Sequence, residues 1–577
     1  MLDGTSALNA KLNEFEKLEI TEQESNDCAK ANPKFRTVSI DSVGDDYSRS
    51  PKQNIRPLKD EDELSSTLNI DQKISPLIIA LTLLASISGF MFGYDTGYIS
   101  AALVSFGTDI GNHYLTYGQK EIITAATSLG ALLTGLFAGI CADIVGRKPM
   151  MMFSNLMFII GAILQATTHK FWQMSAGRLL MGFGVGIGSL VSPLFISEIS
   201  PSKYRGRLTV VNSLCITGGQ LIAYAIGAGT SKIKGGWRIL VALSIVPSTC
   251  QLILFFFFHD TPRYYIMKNQ NEKACNVLRR IYKNASSEEI AERVRKIDVL
   301  TDSTKDVSIL VTSKKAIVKL MTTPATLRAL IIACGLQAAQ QFCGFNALMY
   351  FSSTIFKTVG FSDATAVSIV VAATNFVFTA VAFIAVDKIG RRNMLLIGLP
   401  IMTGALVACS VAFHFLGVKF DGEDSIVESK GSNACGIVII ISMVIYIAAY
   451  ALGPGAVAWQ QSELFPQDVR GVGTSLATAT NFSGTLVISA TFLTMLKNIT
   501  PTGTFALFAG ITLCSVLFVY FCYPDLRGLE LEDVQQVLSE GFKIKRASNL
   551  GHNRSGDLEV ARDIMKNKPS TEVITDS

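Results

Sequence analysis

Polar and apolar positions alternate along this chain in blocks far longer than a helical turn. From Pro76 to Met91 sixteen residues pass without a charge, and comparable apolar runs begin near Glu121, Pro149, Phe171, Leu208, Arg238, Leu327, Ala364, Asn393, Cys435, Val472 and Thr502. A hydrocarbon layer about 30 Å thick takes roughly 20 apolar residues per helical crossing. The pattern therefore predicts an all-α, multi-pass membrane protein with twelve transmembrane helices. The first 30 residues lack the basic-then-apolar order of a secretory leader, so the first span is expected to serve as an uncleaved insertion signal.

One long internal polar stretch, Asp260 to Thr323, divides the spans six and six, and its segments EKACNVLRRIY and EEIAERVRKIDVL carry helical periodicity. The expected organisation is a disordered tail (1–73), a six-helix bundle (74–259), a helical linker (260–324), a second six-helix bundle (325–523) and a second tail (524–577). Short loops carrying Arg147-Lys148, Lys203/Arg205/Arg207 and Lys388/Arg391/Arg392 all follow even-numbered spans. The bias of basic residues toward the inner face then places these loops and both termini in the cytoplasm.

Composition agrees with this picture: 577 residues with only 17% charged and a mean hydropathy of +0.37. The net charge of +5 marks topology and gives no reason to expect nucleic acid as a partner. Eleven cysteines and five histidines show no ligand spacing, so no metal site is expected. GFGVGIG (Gly182 to Gly188) looks like a dinucleotide loop but lies inside a span with no strand before it, which assigns it to close helix packing. No nucleophile or nucleotide constellation suggests an enzyme.

Against this apolar background Asp95, in FGYDTG, stands out. An ionised carboxylate inside a span costs several kcal/mol unless it faces water or a partner. Asp95 lies about seven residues, roughly 10 Å, below the end of span 1, and Arg178 in span 4 falls at nearly the same depth. A guanidinium favours the charged carboxylate and desolvation favours the neutral one. Small changes in their separation can therefore load or release a proton. A fixed structural ion pair is the alternative.

The two halves also repeat. GICADIVGRK matches AVDKIGRR, with Asp143 four residues before Arg147 and Asp387 four before Arg391; SEISPSKYRG matches SELFPQDVRG, with Glu198 seven before Arg205 and Glu463 seven before Arg470. An ancestral six-span unit used twice explains the order. These eight residues are expected to form ion pairs that latch the cytoplasmic side; fixing topology is the alternative.

At GRKP and GRR, GRLLMGFGVGIGS, QQFCGFNALMYFS, GPGAVAWQQSELFP and PDLRGLELED the chain resembles the sugar porters of the major facilitator superfamily over residues 74 to 535. WQQSELFP, KIGRR and YFCYP resemble the fungal myo-inositol transporters of that family. The resemblance implies that Gln220, Gln340, Gln341, Asn346, Tyr350, Asn375, Trp459, Asn481 and Thr485 contact a polyol. The spacing of Gln340, Gln341, Asn346 and Tyr350 is expected to keep them on one broad helical face. The resemblance further implies alternating access at the plasma membrane with Asp95 as the proton-coupling group, since proton-linked members carry aspartate there. The expectation is myo-inositol import with a proton and no cofactor besides that proton. Regulatory proteins acting on the tails are the expected macromolecular partners. A hexose carrier, proton-linked or facilitative, is the nearest rival, and a non-transporting nutrient sensor the more distant one.

Overall fold

The computed structural model describes residues 75–201, 204–282, 285–305, 309–361, 363–417, 433–457, 464–524, 537–539 and 541. Both tails fall almost wholly outside them. Among the described residues there is no strand. The first apolar block forms α1 (Pro76–Ser105), α2 (Tyr117–Val145), α3 (Arg147–Ala166), α4 (Phe171–Ile199), α5 (Arg205–Thr230), α6 (Gly236–Ala242) and α7 (Ile245–Phe257). The polar stretch forms α8 (Pro262–Met267), α9 (Asn271–Ile281), α10 (Ser287–Lys305) and α11 (Ile309–Thr322). The second block forms α12 (Pro324–Phe342), α13 (Phe345–Val359), α14 (Ala364–Ile389), α15 (Arg391–Leu416), α16 (Asn433–Leu452), α17 (Pro454–Val457), α18 (Gln467–Asn498) and α19 (Thr500–Cys522).

Among the described residues eleven helical segments are long and apolar enough to cross a bilayer, with α6 and α7 together making one of them. Lys314–Thr322 and Pro324–Val359, which meet at 94°, bring the number to twelve when that bent pair is counted as one span. Their surfaces invert the soluble pattern. Phe137, Trp172, Phe257, Ile384 and Phe415 face outward, whereas serines, threonines, amides, Asp95 and Arg178 are buried. In hydrocarbon, polar groups gain by pairing inside the bundle, and apolar groups gain nothing by hiding.

Local sequence explains the helix ends. Thr116 caps α2 in a capping box with Gln119, each side chain accepting from the other's amide at 3.3 and 3.0 Å. Gly146 and Gly390, the glycines of the repeated GR motifs, turn the chain between α2 and α3 and between α14 and α15 with φ of 111° and 87°, a region other residues avoid.

Within the bundle, α1 and α5 touch backbone to backbone. A Cβ on Gly93 would lie 2.7 Å from the carbonyl carbon of Ile216 and closer still to its oxygen. Gly182 serves the same purpose between α4 and α2, where a Cβ would meet Gly130 Cα at 3.0 Å; the GFGVGIG glycines are packing residues. Backbone cannot swing aside as a side chain can, so Gly93→Ala is expected to cost about 1–3 kcal/mol and to lower the unfolding midpoint of the detergent-solubilised protein. An unchanged midpoint would contradict this packing.

The chain separates into two compact units. The larger draws on Leu83–Leu194, Thr209–Phe258 and the chain from Ser308 onward, and the smaller on the described residues up to Thr82, Phe195–Leu208 and His259–Val307. In the smaller unit Thr261 caps α8 ahead of Pro262, and α9 buries Ala274, Cys275, Leu278 and Ile281. All the buried ion-pair and amide residues considered next lie in the larger unit.

Candidate functional site

The ion pair comes first. Asp95 of α1 and Arg178 of α4 are both buried, and Arg178 Nη1 donates to Asp95 Oδ1. Arg178 is held independently of the carboxylate: Nη1 also reaches Tyr98 Oη at 2.9 Å, and Nε reaches the Ile123 carbonyl of α2 at 3.3 Å. The Tyr98 hydroxyl passes its own hydrogen to Gln165 Oε1 of α3 at 2.9 Å. The guanidinium is thus positioned by three helices, and the carboxyl group is the partner free to change charge. Tyr98 lies one turn after Asp95; that spacing carried the signal, and the sequence reading passed over it. The Tyr350 hydroxyl faces Ser128 and Thr96 within electrostatic reach of this pair, so Tyr350 borders the ion pair.

The amides gather elsewhere. The expected single helical face is corrected by a break: α12 ends at Phe342 and α13 begins at Phe345, with Gly344 at φ 91°. Gln340 and Gln341 therefore sit on the last turn of α12, while Asn346 and Tyr350 belong to α13. Between them Asn346 Nδ2 donates to Gln341 Oε1 at 2.5 Å and to Thr485 Oγ1 of α18 at 3.3 Å. The Thr485 hydroxyl also lies 2.9 Å from Gln341 Oε1. Asn481, one turn earlier on α18, donates to Gln340 Oε1 at 2.8 Å and to Gln337 Oε1 at 2.6 Å. Gln340 Nε2 in turn donates to the Pro454 carbonyl at 3.1 Å, where α16 gives way to α17. Two helix breaks thus supply backbone and side-chain polar groups to one cluster.

Gln337 is fully buried in this cluster and was absent from the sequence reading, although it lies one turn before Gln340. Gln220 and Asn375 form a separate pair between α5 and α14, Asn375 Nδ2 donating to Gln220 Oε1 at 2.9 Å. Stacked Phe345 and Tyr450, with ring centroids 3.6 Å apart, add an aromatic wall that sequence reasoning also missed. Trp459 lies outside the described residues.

The repeated loop residues show varied pairings. Arg147 Nη2 meets Asp143 Oδ1 at 2.7 Å and its Nη1 donates to the Ala142 carbonyl at 3.2 Å, closing the end of α2. Arg470 donates through Nε and Nη2 to the Phe465 carbonyl, both at 3.3 Å. In the smaller unit Glu198 accepts from Thr261 Oγ1 at 2.6 Å and lies 4.0 Å from Arg263 Nε. Arg205 opens α5 and Arg391 opens α15. Glu463 and the side chain of Asp387 lie outside the described residues.

Outward apolar faces, a buried charge pair and buried neutral amides at helix breaks define a multi-pass membrane transporter. The chain belongs to the Sugar (and other) transporter family, whose model matches residues 81–538, a family of carriers and not of enzymes. It is 58% identical over 522 residues to myo-inositol transporter 1 of Saccharomyces cerevisiae, covering 90% of this chain and 89% of that one. It is 50% identical to myo-inositol transporter 1 of Candida albicans, covering 87% and 89%. Among solved structures it is similar to the proton:xylose symporter XylE bound to 6-bromo-6-deoxy-D-glucose, with a TM-score of 0.65, 25% identity and coverage of 80% and 99%. A partially occluded inward-open structure of XylE from E. coli shares the fold with a TM-score of 0.66 over 79% and 99%.

Proposed function

We propose that this chain imports myo-inositol with a proton across the plasma membrane, by alternating access between two six-helix halves (74–259 and 325–523) whose termini are both cytoplasmic. The substrate assignment is supported by the long similarity to transporters named for myo-inositol. One observation carries the coupling: a buried Asp95 against an Arg178 that three helices hold in place. Protonating Asp95 removes the charge–charge attraction to Arg178 and weakens the hold of α1 on α4, while the Tyr98 contact to Arg178 stays in place.

The amides of Gln340, Gln341, Asn346 and Asn481 bond to one another in this state. A polyol hydroxyl both donates and accepts, so it can replace any of these partners without leaving an amide unsatisfied. Gln220 and Asn375 are assigned to the same substrate from the facing helices, with Trp459 and Tyr350 as its aromatic neighbours. The eight loop residues Asp143, Arg147, Glu198, Arg205, Asp387, Arg391, Glu463 and Arg470 are assigned to closing the cytoplasmic side, and the proton is the only cofactor. The tails are assigned to regulatory proteins that control turnover.

Uptake of labelled myo-inositol and labelled glucose, in cells lacking their own carriers and at two external pH values, tests the reading. Myo-inositol uptake that rises as external pH falls is the expected result. Glucose uptake without myo-inositol uptake would overturn the substrate, and uptake of neither would favour a sensor.

A further inference from the structure

Among the described residues Asp95, Asp260 and Glu121 are buried as whole residues, and the side chain of Glu198 is buried too, against Thr261 and Arg263. Asp95 has its arginine, and Asp260 accepts from the Thr261 amide in the smaller unit. Glu121, the fifth residue of α2, is buried to 4% exposure and belongs to neither the ion pair nor the amide cluster. Its two oxygens reach α18: Oε1 accepts from the Thr494 amide and Oε2 from the Thr494 hydroxyl, each at 2.7 Å, and the Leu493 amide lies within reach of the same carboxyl group. Thr494 lies within α18, where an amide normally serves the carbonyl four residues back.

The place of this contact gives it meaning. Glu121 and Asp143 are 22 residues apart on α2, about 33 Å at 1.5 Å per residue, so Glu121 lies at the end opposite the Asp143–Arg147 pair. At its own end, where α1 finishes and α2 starts, first-block and second-block helices also meet through hydroxyls. Ser100 Oγ lies 3.1 Å from both Ser352 Oγ and Ser353 Oγ, and Tyr224 Oη lies 3.0 Å from Ser352 Oγ. Water can replace hydroxyl contacts of this kind at little cost. A two-point bond from a buried carboxyl group to a helix backbone is harder to replace.

We infer that Glu121 is a positioning residue for transport: it clasps α2 to α18 while this end is closed, and the clasp must part for this end to open. The inference rests on the alternating-access reading, whose topology makes this the outer face. The test uses the full chain carrying Ser353→Cys as a reporter, labelled in intact cells by a membrane-impermeant thiol reagent. Matched chains without the reporter supply the background from native cysteines, and myo-inositol uptake is measured in parallel.

Glu121→Ala is expected to speed reporter labelling about tenfold or more, as loss of a two-point hydrogen bond from a buried carboxyl group shifts a closed–open equilibrium. Thr494→Val keeps the amide bond and should give a smaller increase. The double variant should label no faster than Glu121→Ala alone. Equal labelling of Glu121→Ala and the parent at equal surface amounts would overturn the clasp, as would a larger effect from Thr494→Val. If Glu121→Ala fails to reach the membrane, Glu121→Gln and Thr494→Val decide: faster labelling supports the clasp and unchanged labelling overturns it. Absent uptake by every chain would refute the transport reading, while labelling would still report on the clasp.

Discussion

Asp95→Asn is expected to abolish accumulation of myo-inositol against its gradient while leaving exchange of labelled for unlabelled myo-inositol across the membrane. One proton falling through two pH units carries about 2.8 kcal/mol, enough for about a hundredfold accumulation. That whole factor should disappear. Asparagine keeps the shape of the protonated acid and can still accept from Arg178 Nη1, but it cannot change charge. Arg178 stays placed because Tyr98 and the Ile123 carbonyl hold it without help from Asp95. The reciprocal change is less informative: Arg178→Met leaves a buried carboxyl group without its partner, a loss of about 3–5 kcal/mol, and should reduce the amount of chain in the membrane. Uptake by Asp95→Asn should also lose its dependence on external pH. Accumulation that survives intact would reduce the pair to a structural brace.

Gln341→Leu should have the second largest effect. The Gln341 carbonyl oxygen lies within reach of both Asn346 Nδ2 and Thr485 Oγ1, and its Nε2 lies 3.5 Å from Gln340 Oε1. Leucine fills a similar volume with no donor or acceptor. Asn346 and Thr485 then lose an acceptor, and a polyol hydroxyl arriving there finds none. Each unmet buried polar group costs about 1–3 kcal/mol, so KM for myo-inositol should rise about 10- to 100-fold. Because Thr485 shares this acceptor, Thr485→Val combined with Gln341→Leu should cost less than the sum of the two changes. Full additivity in uptake kinetics would mean that the two residues act separately.

Much of this was legible in the chain, for identifiable reasons. Apolar runs of membrane length admit no other regular structure than helix, and the Asp95–Arg178 pair followed from depth counting, since two charges in hydrocarbon at one level need one another. The repeated GR motifs showed as text what the structure shows as two positive-φ turns at Gly146 and Gly390. The break at Gly344 was not legible: periodicity runs smoothly through QQFCGFNALMYFS, and a glycine within a span reads equally well as packing. Gln337 was missed because the family motif begins after it, although helical spacing from Gln340 pointed to it. Glu121 reads in the sequence only as the start of a span, because no local pattern reveals that its partner is Thr494, 373 residues away.

Coupling of myo-inositol to the proton is read by proton movement in sealed proteoliposomes containing the purified chain and a pH-sensitive dye. Adding myo-inositol outside, with no proton gradient imposed, should acidify the lumen for the parent chain and leave it unchanged for Asp95→Asn, while both exchange labelled myo-inositol. Myo-inositol entry into parent vesicles without acidification, or equal acidification by Asp95→Asn, would contradict the account.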